Sequence, residues 1–136
     1  MSKPIPMIQK FMTVAPHSIG VDQTLAYAHG VMREHGIRHL PVLSGGQLVG
    51  MLTDRDLGLV ESLRDVDPKT VKVEDAMSTI VYSVSPDAPL NDVVREMASH
   101  KYGSAVVMQN NKVVGIFTTV DVCKAFADLL ETRLSR

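Results

Sequence analysis

Laid over itself with a displacement of 65 positions, which sets Met12 on Met77, the sequence matches its own second half without a gap. Ser18/Ser83, Asp22/Asp87, Leu25/Leu90, Met32/Met97 and His35/His100 are identical pairs, as are Val42/Val107, Val49/Val114, Gly50/Gly115, Thr53/Thr118 and Asp56/Asp121. With Met12/Met77 these make 11 identities in the 46 positions from Met12 to Leu57, and pairs such as Ile19/Val84 and Leu48/Val113 are conservative. A repeat of this length is a whole supersecondary unit, whereas solenoids stack three or more shorter ones. Two related halves predict a module with a pseudo-two-fold axis.

Each half reads as strand, helix, strand, strand, helix. Short extended pieces at Ser18–Val21 and Val81–Val84 come first, with Asp22 and Asp87 expected as N-caps and Pro89 early in its helix. Leu25, Ala28 and Met32 make one helical stripe; Leu90, Val93, Val94 and Met97 make the other. Gly36 and Gly103 are expected to break these helices. Hairpins should follow, His39–Leu43 with Gln47–Leu52 and Ser104–Met108 with Lys112–Phe117, joined through Ser44-Gly45-Gly46 and Gln109-Asn110-Asn111. The closing helices carry Leu59, Val60 and Leu63, then Val122, Ala125, Phe126, Leu129 and Leu130. The fold class is therefore α/β, strictly α+β in local layout, with two βαββα repeats. The expected division is residues 1–64 for the first repeat with its N-terminal segment, 65–72 for a polar linker, and 73–136 for the second repeat.

Composition removes several function classes. The chain has 136 residues, 45% of them hydrophobic, with 14 Lys and Arg against 15 Asp and Glu. Neither half is basic, so neither nucleic acid nor an anionic membrane is an expected partner. The single cysteine, Cys123, excludes an internal disulfide and reads as a small buried hydrophobe. No apolar run approaches ~20 residues, and a soluble, cytoplasmic protein is expected.

The chemistry concentrates where the second hairpin strand of each repeat enters a helix. Leu48-Val49-Gly50-Met51-Leu52-Thr53-Asp54-Arg55-Asp56 and Val113-Val114-Gly115-Ile116-Phe117-Thr118-Thr119-Val120-Asp121 share the ending Thr-x-x-Asp. This spacing suits a capping-box variant, with the hydroxyl accepting a helix N–H and the acid favouring the positive helix end. The same geometry lets a carboxylate accept from a ribose diol beside an anion-friendly helix start. Capping and binding are compatible.

These motifs, with Met12-Thr13, Met77-Ser78 and the stretch Met32 to Val42, resemble the CBS (cystathionine β-synthase) domain family, whose tandem pairs are called Bateman modules. The resemblance covers about seven tenths of the chain and is nearest to small free-standing bacterial members. It implies a non-catalytic regulatory sensor binding an adenosyl ligand (AMP, ADP, ATP or S-adenosylmethionine) in clefts between the repeats, with no required cofactor. Asp56 and Asp121 are then the ribose ligands, with Thr53 and Thr118 beside them. Strand backbone around Leu40 and around Gly103, Ser104 and Ala105 would bracket the adenine. Asp54, Tyr82, Thr119 and Val120 complete the implied set. Arg38, His39 and Arg55 would meet phosphate in the first repeat, where the second has Gly103, Ser104 and Val120. The resemblance also implies a disc-like homodimer, for which the closing helices supply the apolar faces, and a regulated partner protein.

Two rivals stand beside the sensor. One is a structural or dimerisation module whose clefts stay empty; the other is a metal-responsive regulator using the five histidines. His35 and His39 are split by Gly36, and the remaining histidines lack ligand spacing, so no metal site is expected. His29, on the Leu25/Met32 helix, reads as a hydrogen-bonded side chain. No nucleophile elbow or phosphate loop occurs, so no catalytic residue is expected.

Overall fold

A computed structural model describes residues 4–134 and divides the chain into two compact units, His17–Val81 and a second made of the stretch through Pro16 with Tyr82 onward. The first unit holds β2 (Ile19–Gly20), α1 (Leu25–His35), β3 (His39–Ser44), β4 (Gln47–Thr53) and α2 (Asp54–Glu61). The second holds β1 (Thr13–Val14), β5 (Ser83–Val84), α3 (Leu90–His100), β6 (Ser104–Gln109), β7 (Lys112–Thr118) and α4 (Thr119–Leu134). Mixed α/β architecture and the βαββα order are as the repeat implies. No helix among the described residues is long and apolar enough to cross a membrane.

In the first unit the sheet order is β2-β3-β4, with β2 parallel and β4 antiparallel to β3. Leu40, Pro41 and Val42 on the middle strand are all buried. Leu40 and Val42, on one face of the strand, pack with Ile19, Leu25, Ala28, Met32, Leu52, Leu57 and Val73. The second unit repeats this as β1-β7-β6-β5 around Ile8, Val93, Met97, Ala105, Val107 and Phe117. Both hairpins turn through two residues of positive φ, Gly45-Gly46 and Asn110-Asn111, the geometry that right-twisted strands favour.

Several local signals resolve differently from the sequence rules. Asp22 and Asp87 do not cap: after β2 the chain turns at Val21-Asp22, with Gln23 N donating to Gly20 O at 3.2 Å, and the cap falls to Thr24, whose Oγ1 accepts from Tyr27 N at 3.2 Å. Asp87 instead accepts from the Ser85 hydroxyl, and α3 starts behind Pro89 with no side-chain cap. Its exposed N–H groups are met from outside, Leu90 N donating to Pro6 O at 2.9 Å. The left-handed residue after α3 is Lys101 (φ 59°), not Gly103, because Lys101 aligns with Gly36 (φ 62°) and the helix length is shared. Cys123 is exposed, since α4 turns Asp121 and Val122 inward and leaves the next position facing out.

The segments ahead of each repeat do more than connect. In 65–72, Pro68 and Val71 carbonyls accept from Ala26 and Leu25 N–H, both at 2.9 Å, so the polar linker closes the start of α1. Val73, in the following 3-10 turn, is fully buried in the first unit, and Ile8 occupies the matching place in the second. Burying each contributes about 1.5–3 kcal/mol. The N-terminal segment, expected with the first repeat, thus joins the second: Thr13 pairs with Ile116 and Val14 with Gly115. Ser78 likewise bridges to Met51 in the first unit, with paired N–H···O bonds of 2.9 Å.

This crossing of Met12-Thr13 and Met77-Ser78 over the last hairpin strand explains the shared glycines. A Cβ on Gly50 would lie 2.6 Å from Met77 Sδ and 2.7 Å from the Ser78 carbonyl oxygen; on Gly115 it would overlap Met12 Sδ. A methionine end can swing away, whereas a sheet carbonyl cannot. Gly50→Ala is therefore expected to destabilise by about 1–3 kcal/mol, more than Gly115→Ala, in paired urea unfolding curves. Equal losses would contradict the backbone contact.

Candidate functional site

In both units the strand passes into the helix with no loop between. Thr53 is the N-cap of α2: Asp56 N donates to Thr53 Oγ1 at 3.2 Å and Thr53 N donates to Asp56 Oδ2 at 2.9 Å. The capping box is therefore complete, and it aims the Asp56 carboxylate back across the strand end. Asp54 N also donates to Arg38 O at 3.0 Å, which ties the corner to the start of β3. The second unit reproduces the frame, with Thr118 N to Asp121 Oδ2 at 2.9 Å and Thr119 N to Gly103 O at 3.2 Å.

The first group of expected residues gathers at one end of its sheet. His39 pairs with Thr53, Leu40 with Leu52, and Arg38 Nε lies 4.0 Å from Asp54 Oδ2. Both partners of that ion pair are exposed, so it is worth about 0–1 kcal/mol and leaves the guanidinium available. Arg55 is exposed one residue before Asp56. Leu40 is fully buried, so only its backbone could meet a ligand. Asp56 is half-buried, and among the described residues its Oδ1 accepts no hydrogen bond.

The second group also shares one sheet end. Ser104 pairs with Thr118, Ala105 with Phe117, and the Tyr82 carbonyl accepts from Val106 N at 2.9 Å. Gly103, Thr119 and Val120 are exposed, Ser104, Thr118 and Tyr82 are half-buried, and Ala105 is buried. Asp121 differs from Asp56. It is only 5% exposed, and Thr118 Oγ1 donates to its Oδ2 at 3.3 Å and Thr13 Oγ1 to its Oδ1 at 3.5 Å.

Rings cluster at the same two sheet ends. His17 stacks on His35 at 3.7 Å between centroids, while Tyr82 stacks on Tyr102, and Tyr102 on His100, each at 5.0 Å. Thr13, His17, His35, His100 and Tyr102 are not among the expected site residues. The repeat alignment does set His17 on Tyr82 and His35 on His100, and that was the available signal. His29 is hydrogen-bonded as expected, 3.2 Å from Glu61 Oε2 and 3.1 Å from Arg33. Among the described residues no group of three or more His, Cys, Asp or Glu side chains converges as a metal site would require. Two surface depressions of about 390 and 240 Å³ lie elsewhere, neither lined by a Thr-x-x-Asp residue.

Burial lowers the His39 pKa; Asp54 and Asp56 oppose that and Arg38 adds to it. Burial raises the Tyr82 pKa, with Glu96, Tyr102 and Asp92 adding to it, so the phenol stays neutral. Because folding lowers the His39 pKa, the unfolded chain binds the extra proton first. The resulting stability is present above about pH 6.5 and is lost as pH falls toward the folded value. His39→Gln is expected to flatten the pH dependence of the urea midpoint between about pH 7 and 5; an unchanged slope would count against a desolvated imidazole.

The sequence matches the CBS domain description twice, at residues 2–57 and 73–128. The chain belongs to the CBS domain family. As a tandem CBS pair it is similar over 98% of its length, and 98% of the other's, to the crystal structure of a Vibrio cholerae protein assigned to acetoin utilization (28% identity, TM-score 0.86). Hypoxic response protein 1 of Mycobacterium tuberculosis is 31% identical over 78% of this chain and 75% of its own. A structure of hypoxic response protein with two coordinated zinc ions has a TM-score of 0.75 and 28% identity, covering 87% of this chain and 97% of that one. A CBS domain pair solved with 5′-methylthioadenosine and S-adenosyl-L-methionine shares the fold at TM-score 0.81 and 23% identity, over 93% of this chain and 99% of that one.

Proposed function

We propose that this CBS pair is a non-catalytic cytoplasmic sensor that holds an adenosyl ligand at a Thr-x-x-Asp corner. One observation carries the reading: the Asp56 carboxylate is fixed at the start of α2 through Oδ2 while, among the described residues, its Oδ1 accepts no hydrogen bond; the exposed Arg55 precedes it in the helix, and Arg38 pairs with neighbouring Asp54. A ribose diol needs such an acceptor, and the two guanidinium groups suit a 5′-phosphate. Thr53 and Asp54 frame the acceptor, and His39 and the Leu40 backbone flank it. In the second unit Thr118, Thr119, Val120 and Asp121 form the matching frame, with Tyr82, Gly103, Ser104 and Ala105 at the same sheet end. The similar CBS pair solved with two adenosyl compounds supports this ligand class. AMP, ADP, ATP and S-adenosylmethionine are the candidates.

Ligand binding regulates only if it discriminates between two conformations that a partner protein reads. The zinc ions in the hypoxic response protein structure belong to that protein. A second reading is favoured by the complete capping box, which would also serve a ligand-free dimerisation module. Thermal unfolding separates the two. An adenosyl ligand at 100 times its Kd stabilises by about 2.7 kcal/mol, and Asp56→Ala is expected to remove that gain. In isothermal titration, Arg38→Ala and Arg55→Ala are each expected to weaken AMP about tenfold or more while leaving adenosine unchanged, because a charge-assisted contact is worth about 1.5–3 kcal/mol. Equal wild-type affinity for adenosine and AMP would remove the phosphate role.

Assembly as a homodimer belongs to the same proposal. Phe126, Leu129 and Leu130 on α4 are 58%, 45% and 39% exposed, and Leu59 on α2 and Leu63 just beyond it are 67% and 54% exposed. Apolar faces of this kind are usual interaction surfaces. Phe126→Glu with Leu129→Glu is expected to halve the mass seen by light scattering, and a monomeric wild type would overturn the dimer.

A further inference from the structure

The two corners are not equally open, and the difference lies in the strand segment that crosses each one. Thr13 and Ser78 occupy equivalent positions in the repeat, pairing with Ile116 and Met51 respectively. Thr13 turns its hydroxyl onto Asp121 Oδ1. Ser78 turns its hydroxyl away, donating to Ile80 O at 3.4 Å and accepting from Ile80 N at 3.2 Å. Asp121 therefore has both oxygens engaged and 5% exposure, whereas Asp56 keeps one oxygen open.

We infer that the ligand seat is the Asp56 corner alone, and that Asp121 with Thr13 forms a closed structural clasp. This rests on the adenosyl-binding reading above and fixes which corner serves it. For a diol to reach Asp121, the Thr13 hydroxyl must leave. That residue is anchored by the β1–β7 pairing and by Met12 seated over Gly115, so its departure would disturb the sheet edge. A carboxylate this buried also gives up solvation that hydrogen bonds must replace; Thr118 N–H supplies one at 2.9 Å, and the Thr118 and Thr13 hydroxyls supply longer ones at 3.3 and 3.5 Å. The charges point the same way. Arg38 and Arg55 stand at the open corner, and Gly103 and Val120 at the closed one.

Isothermal titration with AMP tests the assignment. Wild type should bind one AMP per chain, and Asp56→Asn should bind none while keeping its circular dichroism spectrum. Thr13→Val, which removes only the clasp hydroxyl, should keep one AMP at unchanged Kd and melt at a lower temperature. Two AMP per chain, or one still bound by Asp56→Asn, would overturn it. Amide shifts of wild type supply a readout without variants: those of Asp54, Arg55 and Asp56 should move with AMP, and those of Thr119, Val120 and Asp121 should not. Movement of the second set alone also overturns the assignment. If wild type binds none of AMP, ADP, ATP, adenosine or S-adenosylmethionine, the adenosyl reading itself fails and the assignment goes with it.

Discussion

A threonine N–H donating 2.9 Å to the carboxylate three residues further on is the bond around which each unit is organised. It ends a strand and starts a helix with no loop between, so the last strand residue and the first helical turn share one small volume. Loop-free junctions fix direction closely. The carbonyl of the residue that opens the hairpin, Arg38 or Gly103, binds the next N–H and closes the frame from the other strand. A side chain placed on that frame points to the same spot whenever the protein is folded, which is what a ligand-binding carboxylate requires.

The frame is held by a segment that arrives ahead of the repeat in sequence. Ile8 and Val73 fill equivalent core positions, and the carbonyls of Pro6 and Val71 satisfy the first N–H groups of α3 and α1. This relieves α3 of needing a side-chain cap, and Pro89 is tolerated at that position because it supplies none. The crossing then presses Met12 and Met77 onto strands at glycine positions, and at Gly50 the Ser78 carbonyl bars a Cβ as well. Gly50 and Gly115 are the consequence.

The two halves share the frame and differ in its contents. Thr13 and Ser78 differ by one methyl group, yet one hydroxyl meets a carboxylate and the other a local backbone turn. Arg38, His39 and Arg55 correspond in the second half to Gly103, Ser104 and Val120. The ring pairs diverged too, imidazole on imidazole in one unit and phenol on phenol in the other. Identical backbone geometry thus carries different electrostatics at each sheet end.

The sequence by itself determined the repeat, the element order, the two hairpins and the Thr-x-x-Asp junctions. All of these depend on short-range patterns, namely apolar periodicity, turn residues and a three-residue capping interval. It misplaced what depends on contacts from elsewhere. Thr24 displaced Asp22 as a cap because Asp22 is taken up in the turn that follows β2, and Lys101 took the left-handed turn because helix length, not glycine, set the break. Tertiary structure alone decided that the N-terminal segment joins the second unit, and that Asp121 is closed by Thr13 while Asp56 is open. Thr13 and Asp121 lie far apart in the chain, and no local pattern encodes a bond whose partners meet only after the strands have paired.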